Sequence, residues 1–213
     1  MTTPPPTARS LDAGPAPMHV ESVTLQGTHV RLEPLTLDHH AALCEIGLDP
    51  ELWRWTIANI RTTDDLRRYL ETAIQEREQG RSLPFATVHA PSGRVVGCTR
   101  FGNIERAHRR LEIGWTWVGT AWQRSAINSE AKYLMLRHAF ETLGCMRVEF
   151  KTHALNQKSQ NAMRRIGCVE EGRFRKHMLS DRGLARDTVW FSIIDDEWPA
   201  VKARLEGMMA SHA

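Results

Sequence analysis

The chain is poor in the features that would place it in a membrane, a metal scaffold or a nucleic-acid complex. No apolar run approaches the roughly 20 residues that a membrane-spanning helix needs, so no membrane partner is expected. Cysteine is scarce. Cys44, Cys98, Cys145 and Cys168 have neither the close pairing of a zinc site nor the density of a disulfide framework. They read as reduced, mostly buried thiols, and no metal is expected. The net charge is only +3 with His neutral, and Lys and Arg are scattered rather than blocked; that argues against nucleic acid as a partner. The N-terminus lacks the positive-then-apolar order of a secretory signal, and the chain reads as cytoplasmic. Residues 1–20 carry five of the ten prolines and are expected to form a disordered leader. There is no internal repeat and no second-domain boundary, so residues 21–213 are expected to make a single domain.

What remains is the composition of a soluble globular protein, 41% hydrophobic and 25% charged. A chain of this length buries about 70% of its unfolded surface, enough to support a ligand cleft. Val23 to Leu35 reads as a strand pair around Gln26-Gly27. Asp38 opens a short helix to Gly47, and Asp49-Pro50 breaks the chain. Thr62 or Thr63 caps a helix to Gln79 with Leu66, Leu70, Ala73 and Ile74 on one face. Phe85 to His89 and Val95 to Ile104 form a hairpin across Pro91-Ser92-Gly93.

The most informative stretch is Glu112 to Lys132. Leu111, Ile113, Trp115 and Trp117 alternate with Glu112, Gly114 and Thr116, which predicts a strand with Glu112 opposite the bulky residues. A short loop leads into a helix over Ile127 to Leu143 with no acidic residue before Glu130. The free N–H groups of Ser125, Ala126, Ile127 and Asn128 gather at its start, where a phosphate is favoured. Met146, Val148 and Phe150 alternate in a further strand, so strand, helix and strand make a crossover with parallel strands. Asn156 opens a short helix closed by Gly167, two strands flank Ser180 to Gly183, and Asp195 to Met208 forms a last helix. The fold class is α+β bordering on α/β, with a mixed, mostly antiparallel sheet flanked by helices.

Glu112-Ile-Gly-Trp115, the run from Trp122 to Lys132, and the Asn156, Ser159, Gly167 spacing together resemble the GCN5-related N-acetyltransferases, in the branch similar to the RimJ/RimL ribosomal-protein acetyltransferases. The resemblance covers residues 22 to 206. It implies a central parallel pair that splays apart to take the pantetheine arm of acetyl-CoA, the co-substrate, and a pyrophosphate on the loop before the helix. The implied cofactor-binding set is Trp115, Trp117, Val118, Gln123, Arg124, Ser125, Ala126, Ile127, Asn128, Asn156 and Ser159. Both small-residue positions of the loop depart from the family pattern, at Ala126 and Asn128. Ala126 can replace glycine only with negative φ. Asn156 would bond the pantetheine amide or serve as a plain N-cap; Lys132 and Lys158 are weaker phosphate candidates than Arg124.

Acetyl transfer needs a neutral amine, a polarised thioester carbonyl and a proton for the thiolate. Glu112 is the candidate base, or else a salt-bridged strand residue. A backbone N–H near Trp117 or Val118, where the strand is expected to bulge, is the candidate for the carbonyl. Many relatives use a tyrosine as the acid; Met163 stands at that position, leaving Ser159 or a water. Trp53 and Trp55 on one side and the hairpin with Arg175, His177 and Asp187 on the other are expected to flank a small-molecule or peptide amine acceptor, with core packing as the other role for the tryptophans. The competing reading is a non-catalytic acyl-CoA sensor or interaction module. A homodimer through a sheet edge or helix face is a further expectation.

Overall fold

Alternating apolar residues assemble one eight-stranded sheet. A computed structural model describes residues 18–210, and within them the strands are β1 (Leu25–Gln26), β2 (Val30–Pro34), β3 (Leu83–His89), β4 (Arg94–Glu105), β5 (Arg110–Val118), β6 (Arg147–His153), β7 (Val169–Leu179) and β8 (Ala185–Ile194). Their order is β1-β2-β3-β4-β5-β6-β8-β7. The β5–β6 pair is parallel, as the crossover predicts, and the other neighbours run antiparallel. Most of the proline-rich leader lies outside the described residues; Met18 and Val20 already pack with the core.

The helices are α1 (His40–Gly47), α2 (Pro50–Trp53), α3 (Thr63–Glu78), α4 (Ala126–Arg137), α5 (Gln157–Ile166) and α6 (Trp198–Ala210). Asp49-Pro50, expected only to break the chain, also starts α2: Asp49 accepts from Glu51 N at 3.0 Å and Pro50 takes the first helical position. Thr62 and Asp65 form a reciprocal capping box on α3. The single helix expected to reach Leu143 changes to a wider π turn over His138–Thr142 after α4.

Two apolar layers enclose the sheet. On one face Phe101, Leu111, Ile113, Val148, Phe150, Phe191 and Ile193 pack under α4 and α6, through Leu134, Met135, Leu136, Val201 and Leu205. On the other, Leu35, Ala86, Cys98 and Trp117 pack under α1, α2 and α3, through Leu43, Trp53, Leu66 and Leu70. All four cysteines are free. Burial pushes the thiols of Cys98, Cys145 and Cys168 up to about 12, away from thiolate chemistry. On the strands beyond β4, the second layer takes in only Trp117, at the end of β5. Beyond it, the same face of β5, β6 and β8 carries polar and aromatic side chains instead.

Candidate functional site

The parallel pairing of β5 and β6 is short. Arg110, Leu111 and Glu112 oppose Arg147, Val148 and Glu149, and the ladder ends there. Both strands continue, to Val118 and to His153, without pairing to each other. The strands part at Glu112 and open a gap between them.

A bulge in β5 lies at the start of that gap. Cys98 pairs with Trp117 and Arg100 with Gly114, so Thr99 faces both Trp115 and Thr116. Trp115 takes the extra step with φ 50°, a left-handed conformation that is costly for a bulky residue. The bulge therefore sits at Trp115-Thr116 rather than near Trp117 or Val118. It also reverses the expected alternation. Trp115 stands on the same face as Glu112, stacked by Arg100 at 4.9 Å and Lys151 at 5.6 Å. Its ring fills the place where a side chain on Gly102 would be; a Cβ there would lie 2.3 Å from the ring. Trp117 turns into the second core, 5.3 Å from Trp53. It can offer the gap only its backbone.

Glu112 is 2% exposed. Lys151 Nζ donates to its Oε2 at 2.6 Å and Asn103 Nδ2 to the same oxygen at 2.7 Å. Asn103 reaches it from a second irregularity in β4, with φ 47°. The other oxygen, Oε1, points over Gly114, where a Cβ would come within 2.8 Å. The salt-bridged role considered for Glu112 is present in Oε2, while Oε1 has no hydrogen bond among the described residues. Arg186 of β8 adds a second positive charge close enough to feel Glu112.

At the mouth of the gap, Thr120–Trp122 makes a short 3₁₀ turn and Arg124 takes φ 61°. Ser125 caps α4, and its Oγ accepts from Ile127 N at 3.5 Å; the first turn of the helix holds no acidic residue. One of the four expected free N–H groups is thereby engaged. Ala126 is buried at the start of the helix and is not among the positive-φ residues, so it meets the condition for replacing glycine. Arg124 is exposed and Asn128 half-buried. Gln123 Nε2 donates to Val118 O at 2.9 Å, and Lys158 Nζ bonds Gln123 Oε1, linking α5 to the loop across the mouth. Asn156 Oδ1 accepts from Ser159 N at 3.1 Å, the plain N-cap role, and Ser159 sits half-buried in that first turn. Lys132 does not face the mouth. It is buried and donates to Thr116 Oγ1 at 2.8 Å. Met163 is buried in the first core.

The expected acceptor side divides. Trp53 is core: it is 3% exposed and its Nε1 donates to Gly47 O at 2.6 Å. Trp55 is half-buried and meets the His153 ring edge-on at 5.2 Å. His177 is exposed, against Phe174 and Trp190 at 5.3 and 5.8 Å. Asp187 is held by Arg173 at 2.6 Å and by Lys176 N at 2.7 Å. Sequence reasoning missed Asn103, Lys151 and Arg186. Lys151 alternates with Phe150 and could have been placed on the Glu112 face; Asn103 owes its position to an irregular strand, which leaves no local signal.

The acetyltransferase (GNAT) domain model matches residues 29–169. The Bacillus subtilis (strain 168) protein named "Putative ribosomal N-acetyltransferase YdaF" is 30% identical over 110 residues, 52% of this chain and 59% of that relative's length. The solved GCN5-related N-acetyltransferase from Brucella melitensis is 31% identical with a TM-score of 0.84, covering 92% of this chain and 90% of that one. Mycobacterium smegmatis RimJ, solved in complex with CoA-disulfide, is 25% identical with a TM-score of 0.72, over 86% and 90% of the two chains. A family model spanning well over half the sequence and the parting of β5 from β6 agree: the chain belongs to the GNAT acetyltransferase family.

Proposed function

We propose that the protein is an acetyl-CoA-dependent N-acetyltransferase that moves an acetyl group to a primary amine by direct attack in a ternary complex. The observation that carries this reading is the end of the β5–β6 ladder at Glu112, which leaves β5 from Gly114 to Val118 without a strand partner on that side. Unpaired strand groups are donors and acceptors for an amide-bearing arm, and the α4 N-terminus at the mouth suits a pyrophosphate. The residues present fit such a ligand. Arg124 is free to meet phosphate, Ala126 lets the backbone approach, and Gln123 is held between Val118 and Lys158. When bound, acetyl-CoA supplies the activated thioester.

Glu112 takes the acceptor's proton through Oε1, directly or by way of water, while Lys151 and Asn103 hold Oε2 in place. A backbone N–H freed by the bulge at Trp115-Thr116 would polarise the thioester carbonyl. Ser159 or water would supply the proton that the departing thiolate needs. Trp55 and His177 contact the acceptor, and Trp53 supports that wall from within the core. The ribosomal name of the Bacillus relative and the CoA adduct of RimJ support a peptide N-terminus as acceptor and CoA as carrier.

The test is calorimetric titration with acetyl-CoA, then thiol release against N-terminal peptides, polyamines and aminoglycosides. Binding with turnover is expected. Binding without turnover toward any amine would favour an acyl-CoA sensor, and absence of binding would remove the cofactor assignment.

A further inference from the structure

Beyond the free end of β6 the Glu112 face of the sheet opens into a cavity of about 410 Å³. Its lining includes Arg54, Trp55, His153, Arg182, Leu184 and Arg186, and, among the described residues, no Asp or Glu. The enclosure is preformed. The turn between β7 and β8 is tied to the loop after α2 by Asp181 N to Ile57 O at 2.9 Å and Arg182 Nη2 to Arg54 O at 3.1 Å.

Arg186 sets the chemistry of this cavity. It is 7% exposed, and its Nε is buried with no hydrogen-bond partner among the described residues. No ion pair reaches it there either. The negative charge it feels is that of Glu112, whose Oε2 is already taken by Lys151 and Asn103. Two cations therefore share one carboxylate. Asp187, the neighbour in sequence, is held on the opposite side of the strand by Arg173 and Lys176. A buried guanidinium without an anion destabilises a fold unless a ligand supplies the missing charge. The guanidinium fork matches a carboxylate in shape as well as charge. Thr188 Oγ1, fully buried two residues along the same row of β8, also lacks a partner among the described residues.

The site lies close to the proposed chemistry. Thr188 pairs with His153 and Trp190 with Lys151, so the row from Arg186 leads along the sheet to Glu112's own partner. Leu155 and Leu184, 65% and 64% exposed, give the rim an apolar surface for the body of a ligand.

We propose that this cavity binds a carboxylate on the acceptor itself, through Arg186 with Arg182 behind it, so that the protein acetylates amines carrying an acid group close by. This deepens the acetyltransferase reading and rests on it for the word acceptor. The carboxylate belongs either to an acidic side chain next to a peptide N-terminus or to the free end of a short amino-acid derivative.

The test uses matched acid and amide pairs on the full chain: Ala-Asp-Ala-amide against Ala-Asn-Ala-amide, and Ala-Ala against Ala-Ala-amide. Transfer is followed as CoA release. Binding of the N-acetylated forms, which cannot react, is followed by calorimetry with and without CoA. The acid member of one pair is expected to bind about tenfold more tightly, or better, and to show the same preference in kcat/KM. The pair that shows it identifies the source of the carboxylate. Arg186→Gln should bring the ratio close to one. Should that variant not fold, Arg182→Gln, at an exposed turn, should lower the ratio a few-fold, and added salt should lower it in the wild type. Equal binding of acid and amide in both pairs, no binding of either, or a preference unchanged in both variants overturns the proposal. Acid-selective binding without acetyl-CoA binding would keep the cavity assignment and remove the enzyme. Transfer to acid and amide alike would keep the enzyme and remove this assignment.

Discussion

One residue along β8 separates two different kinds of surface. Val189, Phe191 and Ile193 point into the layer under α4 and α6 and are buried among apolar side chains. Arg186, Thr188 and Trp190 alternate with them on the other face and leave buried polar atoms with no hydrogen-bond partner among the described residues. Similar divisions run along β5 and β6, where Leu111 and Val148 back onto α4 while Glu112 and Lys151 form an ion pair on the far side. The first face has the properties of a stabilising core. The second is poorly matched to stability, because unpaired donors and a shared carboxylate cost free energy in a folded chain. Two buried carboxylates make the same distinction. Glu130 commits both oxygens to the backbone N–H groups of Thr28, His29 and Val30, at 2.9, 2.7 and 2.6 Å, and thereby fixes the turn between β1 and β2. Glu112 uses only Oε2, and its Oε1 has no hydrogen bond among the described residues.

The contrast breaks most visibly at Phe191. Phe191→Ala should cost about 3–5 kcal/mol in chemical denaturation, because the ring is fully buried and its loss leaves a cavity. On the opposite face, Glu112→Gln keeps the shape and changes the charge. Turnover should fall by roughly 100-fold with acetyl-CoA affinity intact. An unchanged rate would leave Glu112 as the anchor of Lys151 and nothing more.

Lys132 is the exception on the apolar side and gives a pH test. Burial lowers its ammonium from the ordinary 10.5 to about 7, against a smaller opposing effect of Cys168. Between about 7 and 10.5 the unfolded chain then holds a proton that the folded chain has released, so stability rises with pH across that window and is level below it. One proton contributes at most ~1.4 kcal/mol per pH unit. Lys132→Met should remove this slope and stabilise the protein at pH 7 by about 1–2 kcal/mol. Parallel slopes in the two proteins would show that Lys132 keeps its charge on folding.

Much of this was legible in the sequence. The crossover from Leu111 to Phe150, the caps at Thr62 and Asn156, and the loop before α4 follow from local periodicity and capping chemistry, which depend on neighbours in the chain. The errors on β5 share one cause. A two-residue alternation cannot anticipate a bulge, and Trp115 with φ 50° turned two tryptophans to the other face of the sheet. The bulge is specified across strands, by Thr99 and Gly102 of β4. Glu112 was found because it stands in a recognisable strand. Its partners Asn103 and Lys151 lie 9 and 39 residues away, where only the sheet brings them together. Trp53 shows the converse: a large aromatic in a loop suggests a ligand wall, but its Nε1 already has a carbonyl and its ring a core.

The finest distinction is at Trp190, the neighbour of Phe191. Its Nε1 is buried with no partner among the described residues, while its ring lies 5.1 Å from Lys151 Nζ and 5.6 Å from Phe174. Trp190→Phe removes the unpaired donor, which favours the folded state, and weakens the cation–π contact, which opposes it. The two effects are similar in size, so denaturation should report a change below about 1 kcal/mol. Acceptor KM should nevertheless rise a few-fold, because Lys151 links this ring to Glu112, with acetyl-CoA affinity unchanged. A loss of more than about 2 kcal/mol would mean that the indole is a packed, satisfied core group. The far face of β8 would then be a second core, and its unpaired atoms would no longer mark a place where stability has been given up for binding.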